Sequence, residues 1–281
     1  MKIKKILVPT DFSKEANNAF NVAVSLSKQL DAEVSLLHVI DVPLQGSVSP
    51  SGEYHSPDGM DKLFVMKLVE KVRHDMDKKA KAAGIKVHKL IDFDRAYSKI
   101  VDLINKHEMD LVVMGSKGSS GFSELLVGSN TEKVVRLAPC PVLTVKSEQK
   151  DFQVRNVVFA SSFTEPVVGV VEQLIDVQTM FNAKLHLVKV NTPNNFQTSK
   201  SNFKKMEDFA AKFKLENFTT NIYDDVSEDE GILNFADHIN ADLIVIPTHG
   251  RTGLAHLLNG SIAEDVVNHS AKPVLTIRTK V

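Results

Sequence analysis

The chain has 281 residues, 43% hydrophobic and 25% charged, the composition of a globular protein with room for two ordinary domains. Its 34 Lys and Arg against 35 Asp and Glu leave a formal charge of -1, without the basic excess of a nucleic-acid or anionic-membrane protein. A single cysteine, Cys140, excludes an internal disulfide. No apolar run has the length of a secretory signal or a membrane span, so a cytoplasmic location is expected.

The first apolar run, KKILVPT at 4–10, reads as a strand. It is followed at 14–30 by KEANNAFNVAVSLSKQL, whose alanines, leucine and valines fall at helical spacing. A second strand, AEVSLLHVI at 32–40, leads into the Ser-, Gly- and Pro-rich stretch 41–61, which reads as a loop. A helix over 61–84 then stops at Gly84-Ile85. Next come a strand at 87–92, a helix at 96–108, a strand at 110–116, a glycine-rich segment, a helix at 129–138 and a strand at 141–146.

The pattern then repeats. IKKILVPTDFS at 3–13 resembles VRNVVFASSFT at 154–164, and DAEVSLLHV at 31–39 resembles NAKLHLVKV at 182–190. The offset of 151 falls to 132 by DLVVM (110–114) and DLIVI (242–246), so the second copy is shorter between its second and third strands. The polar stretch SEQKDFQ separates a first unit, 1–147, from a second, 153–281. Alternating apolar strands and helices predict an α/β protein: two tandem open, twisted, mainly parallel five-stranded sheets with helices on both faces. In such sheets ligands bind beyond the C-terminal strand ends, where the loops 9–13, 39–42 and 115–130 can meet.

The segment MGSKGSSGFSELLVGSN at 114–130 carries the strongest chemical signal. Gly115, Gly118 and Gly121 remove Cβ atoms where backbone turns sharply or approaches a ligand. Gly128 and Ser129 stand at a helix start, whose unpaired N–H groups suit phosphate. The alternative is a strand–helix connection with Ser129 or Asn130 as an ordinary cap. Neither a Walker loop nor a G-x-G-x-x-G turn is present. Asp11, at the end of the first strand, can accept from ribose hydroxyls or help hold Mg²⁺ beside phosphates; equally, Asp11 or Ser13 can cap the first helix. The ten histidines show no metal-binding spacing, and no Ser–His–Asp arrangement or general base emerges.

Gly115, Gly118, Gly128 and Ser129 match Gly, two residues, Gly, nine residues, Gly-Ser, the nucleotide signature of the universal stress proteins. VPTDFS and HVID complete the resemblance, which covers the chain twice. It implies a Rossmann-like fold of the adenine nucleotide α-hydrolase-like group and a bound adenylate, ATP or AMP or ADP, with or without Mg²⁺. By position the contacts would fall to Asp11, the backbone of Val39, Gly115, Gly118, Gly128, Ser129 and Asn130, with Pro9, Thr10, Met114 and Ser116 alongside. Ser119 stands where many members have Arg, and Lys117 is a nearby substitute. The second copy keeps Gly250, Gly253, Gly260 and Ser261 and carries Arg251 where the first has Ser119, but has Pro247, Ser162 and Ile262 in place of Gly115, Asp11 and Asn130, and reads as degenerate.

The resemblance further implies that the two last strands, 141–146 and 273–278, pair antiparallel within the chain as a pseudo-dimer, with room for a further homodimer. The functional expectation is a nucleotide-dependent regulatory module of the stress response, with hydrolysis slow at most. The competing expectation is a scaffold that keeps the fold without nucleotide. The loop 41–61, with Tyr54 and His55, reads either as a neutral insertion, which loop-closure entropy tolerates, or as a lid that orders over the adenylate.

Overall fold

Ile6 and Val8 face one side of their strand and Leu7 the other, and all three are fully buried. A strand buried on both faces requires helices above and below the sheet. The computed structural model describes residues 3–40, 59–116, 128–149, 151–163, 168–248 and 262–278, the side chains of 59–62 and 168 excepted. The first half runs β1 (Lys5–Pro9), α1 (Lys14–Leu30), β2 (Glu33–Ile40), α2 (Gly59–Ala83), β3 (Val87–Phe93), α3 (Ala96–His107), β4 (Leu111–Gly115), α4 (Ser129–Leu137) and β5 (Val142–Val145). The second repeats the order: β6 (Asn156–Ala160), α5 (Val168–Phe181), β7 (Lys184–Asn191), α6 (Ser199–Phe213), β8 (Phe218–Asp224), α7 (Glu228–His238), β9 (Leu243–Thr248), α8 (Ile262–His269) and β10 (Val274–Arg278).

The strands order as β3-β2-β1-β4-β5-β10-β9-β6-β7-β8, so the two five-stranded units fuse into one ten-stranded sheet. Pairing is parallel within each half and antiparallel only between β5 and β10. Leu143 lies opposite Leu275, flanked by Thr144 opposite Val274 and Val142 opposite Thr276. The threonines reciprocate across the seam: Thr144 Oγ1 donates to the Val274 carbonyl and Thr276 Oγ1 to the Val142 carbonyl, both at 3.2 Å. Leu143 and Leu275 also join the apolar core that runs continuously through both halves. This is the strand pairing expected from the sequence. In a Cys140→Ala background, the Leu143→Cys/Leu275→Cys double variant should oxidise to an intrachain disulfide, because directly opposed residues bring their Cβ atoms within bridging range. Non-reducing electrophoresis checks it; a chain that stays open or crosslinks only between molecules contradicts the pairing. Burial pushes the Cys140 thiol up to about 12, which disfavours the reactive thiolate.

The length difference between the copies is only partly a loop. Gly59–Asp61 belong to α2, which has 25 residues against 15 in its counterpart α6. The rest of the segment read as insertion or lid, 41–58 with Tyr54 and His55, lies outside the described residues.

At the N-terminal strand ends the duplication is preserved to the hydrogen bond. Asp110 Oδ2 accepts from Lys4 N and Lys5 N at 2.7 and 2.9 Å, and Asp242 Oδ2 accepts from Arg155 N and Asn156 N at 2.9 Å each. The halves diverge at the opposite ends of the same strands.

Candidate functional site

In the first half the strand order reverses between β1 and β4, the point at which an open sheet leaves a crevice beyond its C-terminal edge. A cavity of about 140 Å³ opens there. The part of its wall marked by the sequence comes from four stretches: Pro9, Thr10 and Asp11 at the end of β1, Val39 on β2, Met114 and Gly115 on β4, and Gly128, Ser129 and Asn130 at the start of α4. Nine of the eleven residues singled out from the sequence are thus brought together. Of the other two, Gly118 lies outside the described residues, as do Lys117, Ser119 and Gly121. Ser116 directly follows the strand, is only 2% exposed, and its hydroxyl has no hydrogen-bond partner among the described residues. A buried hydroxyl in that condition carries a desolvation cost that a polar ligand can relieve.

The turn after β1 is built from its own side chains. Asp11 Oδ1 accepts from Ser13 N at 2.9 Å, and Ser13 caps α1 by accepting from Ala16 N at 3.2 Å. Ser13 is therefore the helix cap, and Asp11 braces the turn with one oxygen while its carboxylate stays on the cavity wall. Gly128 occupies the cap position of α4 and, as a glycine, supplies no side-chain cap. Ser129 and Asn130 are its first two residues rather than caps, and both line the cavity, which sets a helix N-terminus, a favourable place for an anion, at its edge.

Gly115 has a different reason from the one expected. A Cβ there would sit 2.8 Å from the Glu15 carbonyl carbon and 2.9 Å from Ala16 N, so the missing side chain lets the first turn of α1 pack on the end of β4. Thr131, not anticipated from the sequence, is the companion tie: buried, it donates through Oγ1 to the Gly115 carbonyl at 2.9 Å and anchors α4 to the same strand end. Leu37, Ala16, Ala96 and Ile100 were also missed as lining residues. Small residues at the first turns of two helices were the only sequence cue. Among the described residues no group of three or more His, Cys, Asp or Glu could hold a metal ion.

The second half differs at the equivalent place. Glu228 stands where the first half has Ala96, accepts from Asn195 Nδ2 and lies 3.6 Å from the Nζ of Lys189. Lys189 is 7% exposed. Val190, the counterpart of half-buried Val39, is only 4% exposed, because α7 comes down onto it at Gly231, where a Cβ would fall 2.5 Å from Val190 Cγ1. The strand end of the second half is therefore packed with the chain's own groups. Gly250, Arg251, Gly253, Gly260 and Ser261 lie outside the described residues.

The sequence profile of the universal stress protein family matches residues 2–146 and again 153–278. A universal stress protein of Methanocaldococcus jannaschii is 34% identical over 154 residues, 53% of this chain and 85% of that protein. A Staphylococcus aureus relative assigned to the same family is 34% identical over 157 residues, 53% of this chain and 89% of its own. Among solved structures, a universal stress protein of Archaeoglobus fulgidus shares the fold, with a TM-score of 0.74 at 22% identity, over 99% of this chain and 97% of that one. No helix among the described residues is long and apolar enough to cross a membrane.

Proposed function

The chain belongs to the universal stress protein family, and on that premise we propose that its first half binds one adenine nucleotide and acts as a nucleotide-dependent regulatory module. The observation that carries this reading is the convergence of Asp11, Val39 and Gly128–Asn130 on one cavity at the sheet's switch point. The residues fit the parts of an adenylate. Leu37, Val39, Ala96 and Ile100 offer an apolar slot for the base, the Asp11 carboxylate suits ribose hydroxyls, and the N-terminus of α4, with glycine at its cap position, suits phosphate. With Asp11 the one carboxylate lining the cavity among the described residues, a Mg²⁺ ion would be held chiefly by the nucleotide's own phosphates and water.

A second reading applies to the second half alone. The Glu228–Lys189 pair and the packing of Gly231 on Val190 support a structural or partner-binding role there, with no nucleotide. Protein incubated with ATP, desalted and denatured should release an adenine nucleotide, identified by mass spectrometry. Recovery of no nucleotide, from protein as purified and from protein so loaded, would overturn the proposal.

A further inference from the structure

β1 and β2 remain paired up to Thr10, whose N–H donates to the Leu37 carbonyl at 2.8 Å. There the chain turns out of the sheet, and the Thr10 carbonyl is met not by backbone but by the imidazole of His38, with Nδ1 at 2.7 Å. A carbonyl oxygen only accepts, so Nδ1 carries the proton in this contact. The next residues are strained: Phe12 has φ of 63°, in the left-handed region that bulky side chains avoid. The contacts that hold it include a bond from Phe12 N to Thr10 Oγ1 at 3.1 Å, one from Asn17 Nδ2 to the Phe12 carbonyl at 3.5 Å, and its ring against the His38 ring at 5.0 Å between centroids. His38 thus touches both ends of the turn that carries Thr10 and Asp11 onto the cavity wall.

The second half provides an internal comparison. Phe163 repeats the left-handed conformation at φ of 56°, and its N–H bonds Ser161 Oγ at 3.2 Å, so the turn itself is kept. The position of His38 is taken by Lys189, which reaches to Glu228 instead. The imidazole–carbonyl contact is found in the half whose strand end is open and replaced in the half whose strand end is filled. The turn does not need it to form.

We infer that His38 is a positioning residue of the nucleotide site, its Nδ1–H fixing the Thr10 carbonyl and so the aim of Asp11 into the cavity. The inference rests on the proposed adenylate site. Two substitutions separate the hydrogen bond from the ring packing. His38→Asn places an amide donor near Nδ1 and loses the ring, whereas His38→Phe keeps the ring against Phe12 and loses the donor.

With ATP as titrant, His38→Phe should lose affinity about five- to tenfold, the scale of one hydrogen bond, while His38→Asn stays within about twofold of wild type. In the ligand-free wild type, ¹⁵N–¹H correlation of the imidazole at neutral pH should show the proton on Nδ1. An Nε2–H tautomer, or a phenylalanine variant that binds as tightly as wild type, would overturn the role of His38 and leave the site standing. A wild type that takes up no ATP would sink the site, and the inference with it, whatever the tautomer.

Discussion

Replacing Gly115 with alanine is expected to cost about 1–3 kcal/mol of folding stability, the scale of overpacking a close contact. The new Cβ would fall 2.8 Å from the Glu15 carbonyl carbon and 2.9 Å from Ala16 N and Glu15 Cβ. Two of these are backbone atoms, so no rotamer change relieves the contact and the first turn of α1 must move. Ala16 and the turn through Asp11 and Ser13 would move with it, and Ala16 and Asp11 both line the cavity. ATP affinity should therefore fall about tenfold or more alongside stability, since each 1.4 kcal/mol of lost fit is a factor of ten. Gly169, near the start of α5, is the control: nothing lies within 4 Å of its would-be Cβ, and alanine there should be neutral or stabilising by a few tenths to about 1 kcal/mol. Urea unfolding of both variants decides it. An alanine at position 115 as harmless as one at 169 would show that α1 and β4 are not in such close contact.

The Ala96→Glu substitution should do the reverse, removing binding and sparing the fold. It transplants into the first half the residue that fills the second. Ala96 lines the cavity at the first position of α3, whose first turn has no acidic residue. A carboxylate at a helix N-terminus is favourable by a few tenths of a kcal/mol to about 1, so stability should hold or rise slightly. The same carboxylate would crowd the cavity and repel phosphates without the Lys189 and Asn195 that engage Glu228 in the second half. ATP affinity is expected to fall about 10- to 100-fold, the penalty of burying a charge without its partners. Unchanged ATP binding with unchanged stability would place the base elsewhere and remove Ala96 from the site.

The elements were readable because each strand is a short β-branched run and each helix a clear amphipathic pattern, so that β2, predicted over 32–40, forms over Glu33–Ile40. The seam was readable too, since PVLTV and PVLTI end each repeat as the last strands of their sheets. What escaped was long-range. Nothing near Gly115 in sequence says that its close neighbour is Glu15, a hundred residues earlier. Thr131 reads as one more polar residue at a helix start until its hydroxyl is seen on the Gly115 carbonyl. The divergence of the second half was sought in Pro247, Ser162 and Ile262, the counterparts of motif positions. The structure adds Glu228 and Gly231, which belong to no motif and matter only through what they touch across the strand end. The two aspartates at the other edge, Asp110 and Asp242, kept the same bonds in both copies, so divergence fell on the ligand end and spared the scaffold end.

Calorimetric titration of Mg-ATP into the wild-type chain, repeated on Ala96→Glu, tests the asymmetry of the two halves most directly. A single-site isotherm with close to one ATP per chain, lost in the Ala96→Glu variant, is the expected result. Two equivalent sites per chain, or one site that survives Ala96→Glu undiminished, would contradict it.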